Sequence, residues 1–148
     1  MRFNRFLWAF ALLMLLANCG GGSSGANGDD PFNDNDGAAP VEALSVSVLN
    51  AQCQAVTSNS FANNETICVR ATLTLDGTAA NNEVIGFSSS TTLGTLSATT
   101  ALTNSAGVAE ITITNPNTNV GASNLTATFN NTTATEGYEY LAAETTVV

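Results

Sequence analysis

Three cysteines and twelve carboxylates, with no histidine and no lysine, set the chemistry open to this 148-residue chain. Without an imidazole or an ε-amine, a Ser-His-Asp triad, an imidazole-activated thiol and Schiff-base catalysis all fail. Paired carboxylates remain as a general acid and base. Their candidates are Glu83, Glu110, Glu136, Glu139 and Glu144, and each falls at a turn or on the outward face of an alternating stretch, where a carboxylate is simply solvated. No glycine-rich loop follows a strand and opens a helix to cradle a phosphate. The acidic run from Asp29 to Gly37 invites a calcium reading. Taking Gly37 as the sixth position of an EF-hand loop places Phe32 first and Ala43 twelfth, where carboxylates are required. The run therefore reads as a solvated linker. No catalytic residue, cofactor or metal is expected, and the chain is read as not an enzyme.

Cys19 has a different chemistry. Arg2 and Arg5 form a short positive region ahead of Phe6 to Leu16, an almost unbroken apolar run. The run is shorter than the ~20 residues that cross a bilayer and fits the apolar core of a signal peptide. Leu16-Ala17-Asn18-Cys19 then resembles a bacterial lipobox, in which the Cys thiol is acylated and becomes the first residue of the mature chain. Asn18 stands where that pattern usually has Gly, Ala or Ser. The resemblance implies a signal peptide at 1–18 and lipidation of Cys19. Gly20 in place of an Asp after the cysteine favours the outer membrane. Residues 19–40, rich in Gly, Asn, Asp and Ser, read as a disordered acidic tether.

With Cys19 carrying lipid, Cys53 and Cys68 remain as an even pair in an exported chain, the pattern of a disulfide. Closing a loop of ~15 residues is worth about 3 kcal/mol in the chain-entropy account. The intervening Ser, Asn and Thr clusters offer little to pack on their own. A metal pair lacks further Cys or His ligands, and a catalytic thiol lacks an activating base.

Charge narrows the partners. The precursor carries a formal charge of −9; losing 1–18 removes two arginines and no acid, leaving Arg70 against twelve carboxylates, or −11. Such a surface repels nucleic acid and anionic headgroups, so no nucleic-acid partner is expected.

These cysteines are positioned by strands. Leu44, Val46 and Val48 alternate with serines. Ile67, Val69, Ala71, Leu73 and Leu75 form the longest apolar face, that of a central strand, before an Asp76-Gly77 turn. Strands are also read at Val84–Ser88, Gly94–Ser97, Thr100–Thr103, Asn124–Phe129 and Tyr138–Leu141, with Ile85, Phe87, Leu125, Ala127 and Phe129 inward. Asn130 to Thr133 reads as a turn, and residues 144–148 as a fraying end. The clearest unit is Thr103 to Thr114: Asn104 to Gly107 is a turn needing positive φ at Gly107, and Ala109, Ile111 and Ile113 then face the core. About seven or eight short strands at roughly ten-residue spacing, without a helical pattern after residue 18, predict an all-β two-sheet sandwich over 41–148.

Arg70-Ala71-Thr72-Leu73-Thr74, Val84-Ile85-Gly86-Phe87-Ser88, Gly94-Thr95-Leu96-Ser97, Thr103-Asn104-Ser105-Ala106-Gly107-Val108-Ala109 and Leu125-Thr126-Ala127-Thr128 occur in one order. Together they resemble the bacterial immunoglobulin-like domain of the invasin/intimin type. The resemblance covers about 67–130 and implies an immunoglobulin-like sandwich. Members of that family commonly serve as rigid tandem spacers and bring no catalytic residues to place here. The expected function is a non-catalytic, lipid-anchored envelope module with a structural or protein-binding role, held at the membrane by its lipid and meeting an envelope protein partner. The alternative is a carbohydrate- or glycan-binding surface module, for which Tyr138 and Tyr140 would be the aromatic platform.

Overall fold

The computed structural model describes residues 38–144, most of them in ten strands. The signal peptide, Cys19, the acidic tether up to Gly37 and the chain end at 145–148 lie outside the described residues. The strands are β1 (Glu42–Leu49), β2 (Ser60–Ala62), β3 (Ile67–Leu75), β4 (Thr78–Ala79), β5 (Val84–Ser89), β6 (Thr95–Leu96), β7 (Thr100–Leu102), β8 (Val108–Thr114), β9 (Gly121–Phe129) and β10 (Thr132–Leu141). One sheet runs β1-β3-β8-β6, with β4 also on β3; the other runs β2-β10-β9-β5-β7. Every pairing is antiparallel except β2 on β10, which is parallel. This is an immunoglobulin-like two-sheet sandwich.

Alternation explains the layers. Val46 and Val48 of β1, Ile67 to Leu73 of β3 at every second residue, and Ala109, Ile111 and Ile113 of β8 bury one face of the first sheet. Ile85, Phe87, Leu125, Ala127, Phe129, Tyr138 and Tyr140 line the opposing face. Leu44 and Leu75 are partly buried beside them. The expected register of β8 is the one found, with Glu110, Thr112 and Thr114 turned away from the core. β3 is central, between β1 and β8.

Asp76 and Gly77 connect β3 to β4 with φ of 51° and 76°, both positive, as a two-residue turn matched to strand twist requires. Gly107 takes φ +74°, and a Cβ there would overlap the Leu73 carbonyl oxygen. Its carbonyl accepts from Leu73 N at 2.8 Å, so the turn is stitched onto β3.

Three corrections to the sequence reading concern the less apolar stretches. The Cys53–Cys68 loop does pack: it contains β2, whose Phe61 is 5% exposed and belongs to the core. Asn130-Asn131 alone makes the β9–β10 turn, and β10 starts at Thr132, six residues before the expected Tyr138, because β9 supplies a pairing partner as far as Phe129. β9 likewise begins at Gly121 rather than Asn124.

Candidate functional site

The two ends of the sandwich differ. At the end where β1 begins, Glu42 accepts from Asn130 Nδ2 (2.6 Å) and Thr132 Oγ1 (2.7 Å), which hold its carboxyl below the ordinary carboxylate range. Val41 and Asp76 bond reciprocally there: Val41 N donates to Asp76 Oδ1 and Asp76 N to Val41 O, each at 2.9 Å. β10 starts at this end with Thr132 and finishes at the other, where Leu141 O accepts from Asn63 N at 2.8 Å. The chain thus joins the domain at a proximal pole and leaves β10 at a distal pole.

The distal pole carries the disulfide. Leu49 pairs with Cys68, and the chain then turns so that Cys53 bonds Cys68 (S–S 2.05 Å, Cα–Cα 5.2 Å). The turn is built on Asn50: its Oδ1 accepts from Gln52 N (3.0 Å) and Gln54 N (2.9 Å), its carbonyl from Cys53 N (2.9 Å). The same five-residue pattern recurs at Asn104, where Oδ1 accepts from Ala106 N and Val108 N and the carbonyl from Gly107 N. A third, looser version starts at Asn115, with Asn119 N on Oδ1 and Thr118 N on the carbonyl. The fourth residue has positive φ each time: Cys53 56°, Gly107 74°, Thr118 51°. An asparagine side chain standing in for a backbone acceptor makes all three; the Asn104 turn alone is legible in the sequence, because only there does glycine mark the fourth place.

Beside the disulfide, Arg70 donates from Nε to Glu110 Oε1 at 2.8 Å and from Nη2 to Cys53 O at 3.2 Å. The two sulfurs and a Glu110 carboxylate oxygen lie within 4.8 Å of one another. The sulfurs are bonded to each other, so no thiolate is available there as a metal ligand.

A shallow groove of ≈ 380 Å³ lies along β2, β10 and β9. Asn59, Ser60, Ser90, Ala122, Ser123, Asn124, Gly137, Tyr138 and Glu139 line it. Ser60 Oγ donates to Glu139 Oε1 and Asn59 Nδ2 to Glu136 Oε1, both at 2.6 Å. These two carboxylates, among the acid–base candidates, are occupied by neighbouring side chains; Glu110 is occupied by Arg70.

Tyr138 and Tyr140 correct the glycan alternative. They are 3% and 0% exposed, meet edge to face at 5.9 Å between ring centres, and belong to the core. Tyr140 Oη donates to Glu65 O at 3.1 Å, and burial, with Tyr138 and Glu65 nearby, pushes its pKa up to about 12. Phe61, Phe87 and Phe129 are buried as well, so no aromatic platform is exposed among the described residues.

No known protein family's sequence pattern matches the chain, and no curated protein matches it. Solved structures do. The D00-D0 domain of intimin superposes with a TM-score of 0.52 at 20% identity, over 70% of this chain and 48% of that one. The D0-D1 domain of intimin gives 0.52 at 19%, over 71% and 49%. A C-terminal 282-residue fragment of intimin, in complex with the intimin-binding domain of the translocated intimin receptor, gives 0.52 at 19%, over 70% and 33%. The chain spans half or less of the length of these structures. The likeness establishes the fold: an immunoglobulin-like sandwich of the kind found in intimin.

Proposed function

We propose that the chain is a lipid-anchored, non-catalytic envelope module that presents its distal pole and adjoining groove to a protein partner. In this reading 1–18 is a signal peptide, Cys19 carries the lipid, 19–40 is the tether and 41–148 the immunoglobulin-like domain. The outer membrane is the proposed location, on the strength of Gly20 after the cysteine. The observation that carries the reading is the polarity of the sandwich: β1 begins at one end, while the disulfide-linked turn, the Asn115 turn and the end of β10 gather at the other. A domain held through the chain before β1 offers that far end outward. Net negative charge keeps it off anionic headgroups. The solved complex of an intimin fragment with a receptor domain supports a protein partner over other kinds. The absence of histidine and lysine from the whole chain supports a non-catalytic role.

Fractionation tests the anchor. Cys19→Ala should release the protein to the soluble fraction or leave it as unprocessed precursor. A variant that stays with membranes at the normal processed size would refute lipidation.

A further inference from the structure

We propose that the domain carries tension applied through the chain before β1, and that the Cys53–Cys68 bond hands this load from β1 to β3. The proposal rests on the reading above that the chain is held on its N-terminal side.

The proximal pole is clamped to both sheets where such a pull would arrive. Val41 is tied to Asp76 at the end of β3, and Glu42 to Asn130 and Thr132 at the start of β10. β1 then runs toward the distal pole, paired with β3 over eight residues from Glu42↔Leu75 to Leu49↔Cys68. Ladder hydrogen bonds lie across the strand direction. A pull along β1 therefore shears the ladder and loads its bonds together rather than opening them one at a time.

At the far end of this ladder the covalent bond changes the outcome. Cys53 lies four residues beyond Leu49 and is bonded to Cys68, the partner of Leu49 itself. Drawn taut, four residues span at most ~14 Å. Part of that span is already used, so β1 slides only a short way before the sulfur–sulfur bond draws on β3. β3 is the strand best placed to resist. It is bonded to β1, β4 and β8, and Ile67, Val69, Ala71 and Leu73 are fully buried. Arg70 steadies the junction by holding the Cys53 carbonyl and the Glu110 carboxylate of β8 together. Without the bond, a sheared β1 is followed only by the Asn50 turn and the three-residue β2 before β3 is reached. The disulfide thus acts as a stop in the path of the force.

Optical-tweezers unfolding of the full chain, with handles at both ends, tests this. The oxidised chain should rupture in one step. The Cys53→Ser/Cys68→Ser variant should show an earlier step at lower force, releasing the stretch from Glu42 to Thr66, roughly 25 residues or about 8–9 nm of chain, before the main rupture. The second arm moves one handle to Asn117 in the Asn115 turn and leaves the other at the C-terminal end, a geometry that does not pull on β1. There the two proteins should rupture alike. One-step rupture of the variant under end-to-end pulling, or an equal drop in force in both geometries, would overturn the proposal; the latter would make the bond a general stabiliser. Because the handles apply the force, failure here is distinguishable from failure of the Cys19→Ala fractionation, which reads attachment alone.

Discussion

Replacing Gly107 by alanine separates two costs that usually arrive together. The first is backbone: at φ +74° a Cβ costs ~1–2 kcal/mol. The second is contact. The new methyl would overlap the Leu73 carbonyl oxygen and crowd Ala80 N at 3.1 Å and Ala79 Cα at 3.3 Å, all backbone of the β3–β4 hairpin. These atoms cannot swing aside as a side chain would, since Leu73 N is bonded to Gly107 O and Ala80 N to Leu73 O. Forcing a methyl into such a site costs ~1–3 kcal/mol more, so Gly107→Ala should lose about 2–5 kcal/mol in all. The chain supplies its own reference in Thr118, the equivalent place of the Asn115 turn, at φ 51° and exposed. Thr118→Gly removes the backbone cost but adds the freedom of glycine to the unfolded chain, for a net gain of up to about 1 kcal/mol. Urea melts with unchanged m-values would measure both. A Gly107→Ala loss no larger than ~1–2 kcal/mol would mean the turn does not press on β3, and the reasoning would fail.

Phe61→Ala should cost ~3–5 kcal/mol by denaturant melt, a loss out of place for a residue in a surface loop but expected for a core strand. Ile111→Ala should cost ~2–5 kcal/mol and Thr112→Ala well under that, and a reversed order would exchange the faces of β8. Tyr140, with its pKa raised from 10.0 to about 12, favours the folded state while it is neutral. That contribution is intact below pH 10 and is lost as pH rises toward 12. Circular dichroism against alkaline pH should show Tyr140→Phe lacking this loss, and identical alkaline profiles would refute the assignment.

What could be read from the sequence followed the amount of apolar alternation. β3 and β8 keep four and three buried aliphatic or alanine residues at period two, and their registers were readable directly. β2 has one buried residue among three, so no period exists to detect; its place comes from pairing with β10, a long-range fact. The first half of β10, Thr132 to Gly137, carries hydroxyls and Glu136 in place of apolar residues because much of it stays partly exposed. Cys53 and Cys68 were legible as a pair from their number alone, while the role of Asn50 and Asn115 was not, since their turns place Cys53 and Thr118 where glycine would have been the signal. Tyr138 and Tyr140 have the period-two spacing of a buried strand face. That spacing, not their aromatic type, decides where they lie: both are buried in the core.

Arg70 shows how little of this fold depends on ion pairs. It is the one cation among the described residues, and both it and Glu110 are about two-fifths exposed, at 39% and 42%. An ion pair so open to water contributes no more than ~1 kcal/mol, too little to matter as stability alone. Its geometry matters more. The planar guanidinium donates along two directions at once, to the Glu110 carboxylate on β8 and to the Cys53 carbonyl in the turn beside the disulfide. A lysine ammonium is a compact point charge and lacks that fixed fork. Elsewhere, asparagine side chains close the turns and hydroxyls such as Thr126 and Thr135 bond across the outward face of the second sheet. Neutral donors, on neutral acceptors or on carboxylates such as Glu42 and Glu139, therefore hold the rest of the surface in register. The single arginine is placed where β3, β8 and the cross-linked turn must keep a common geometry.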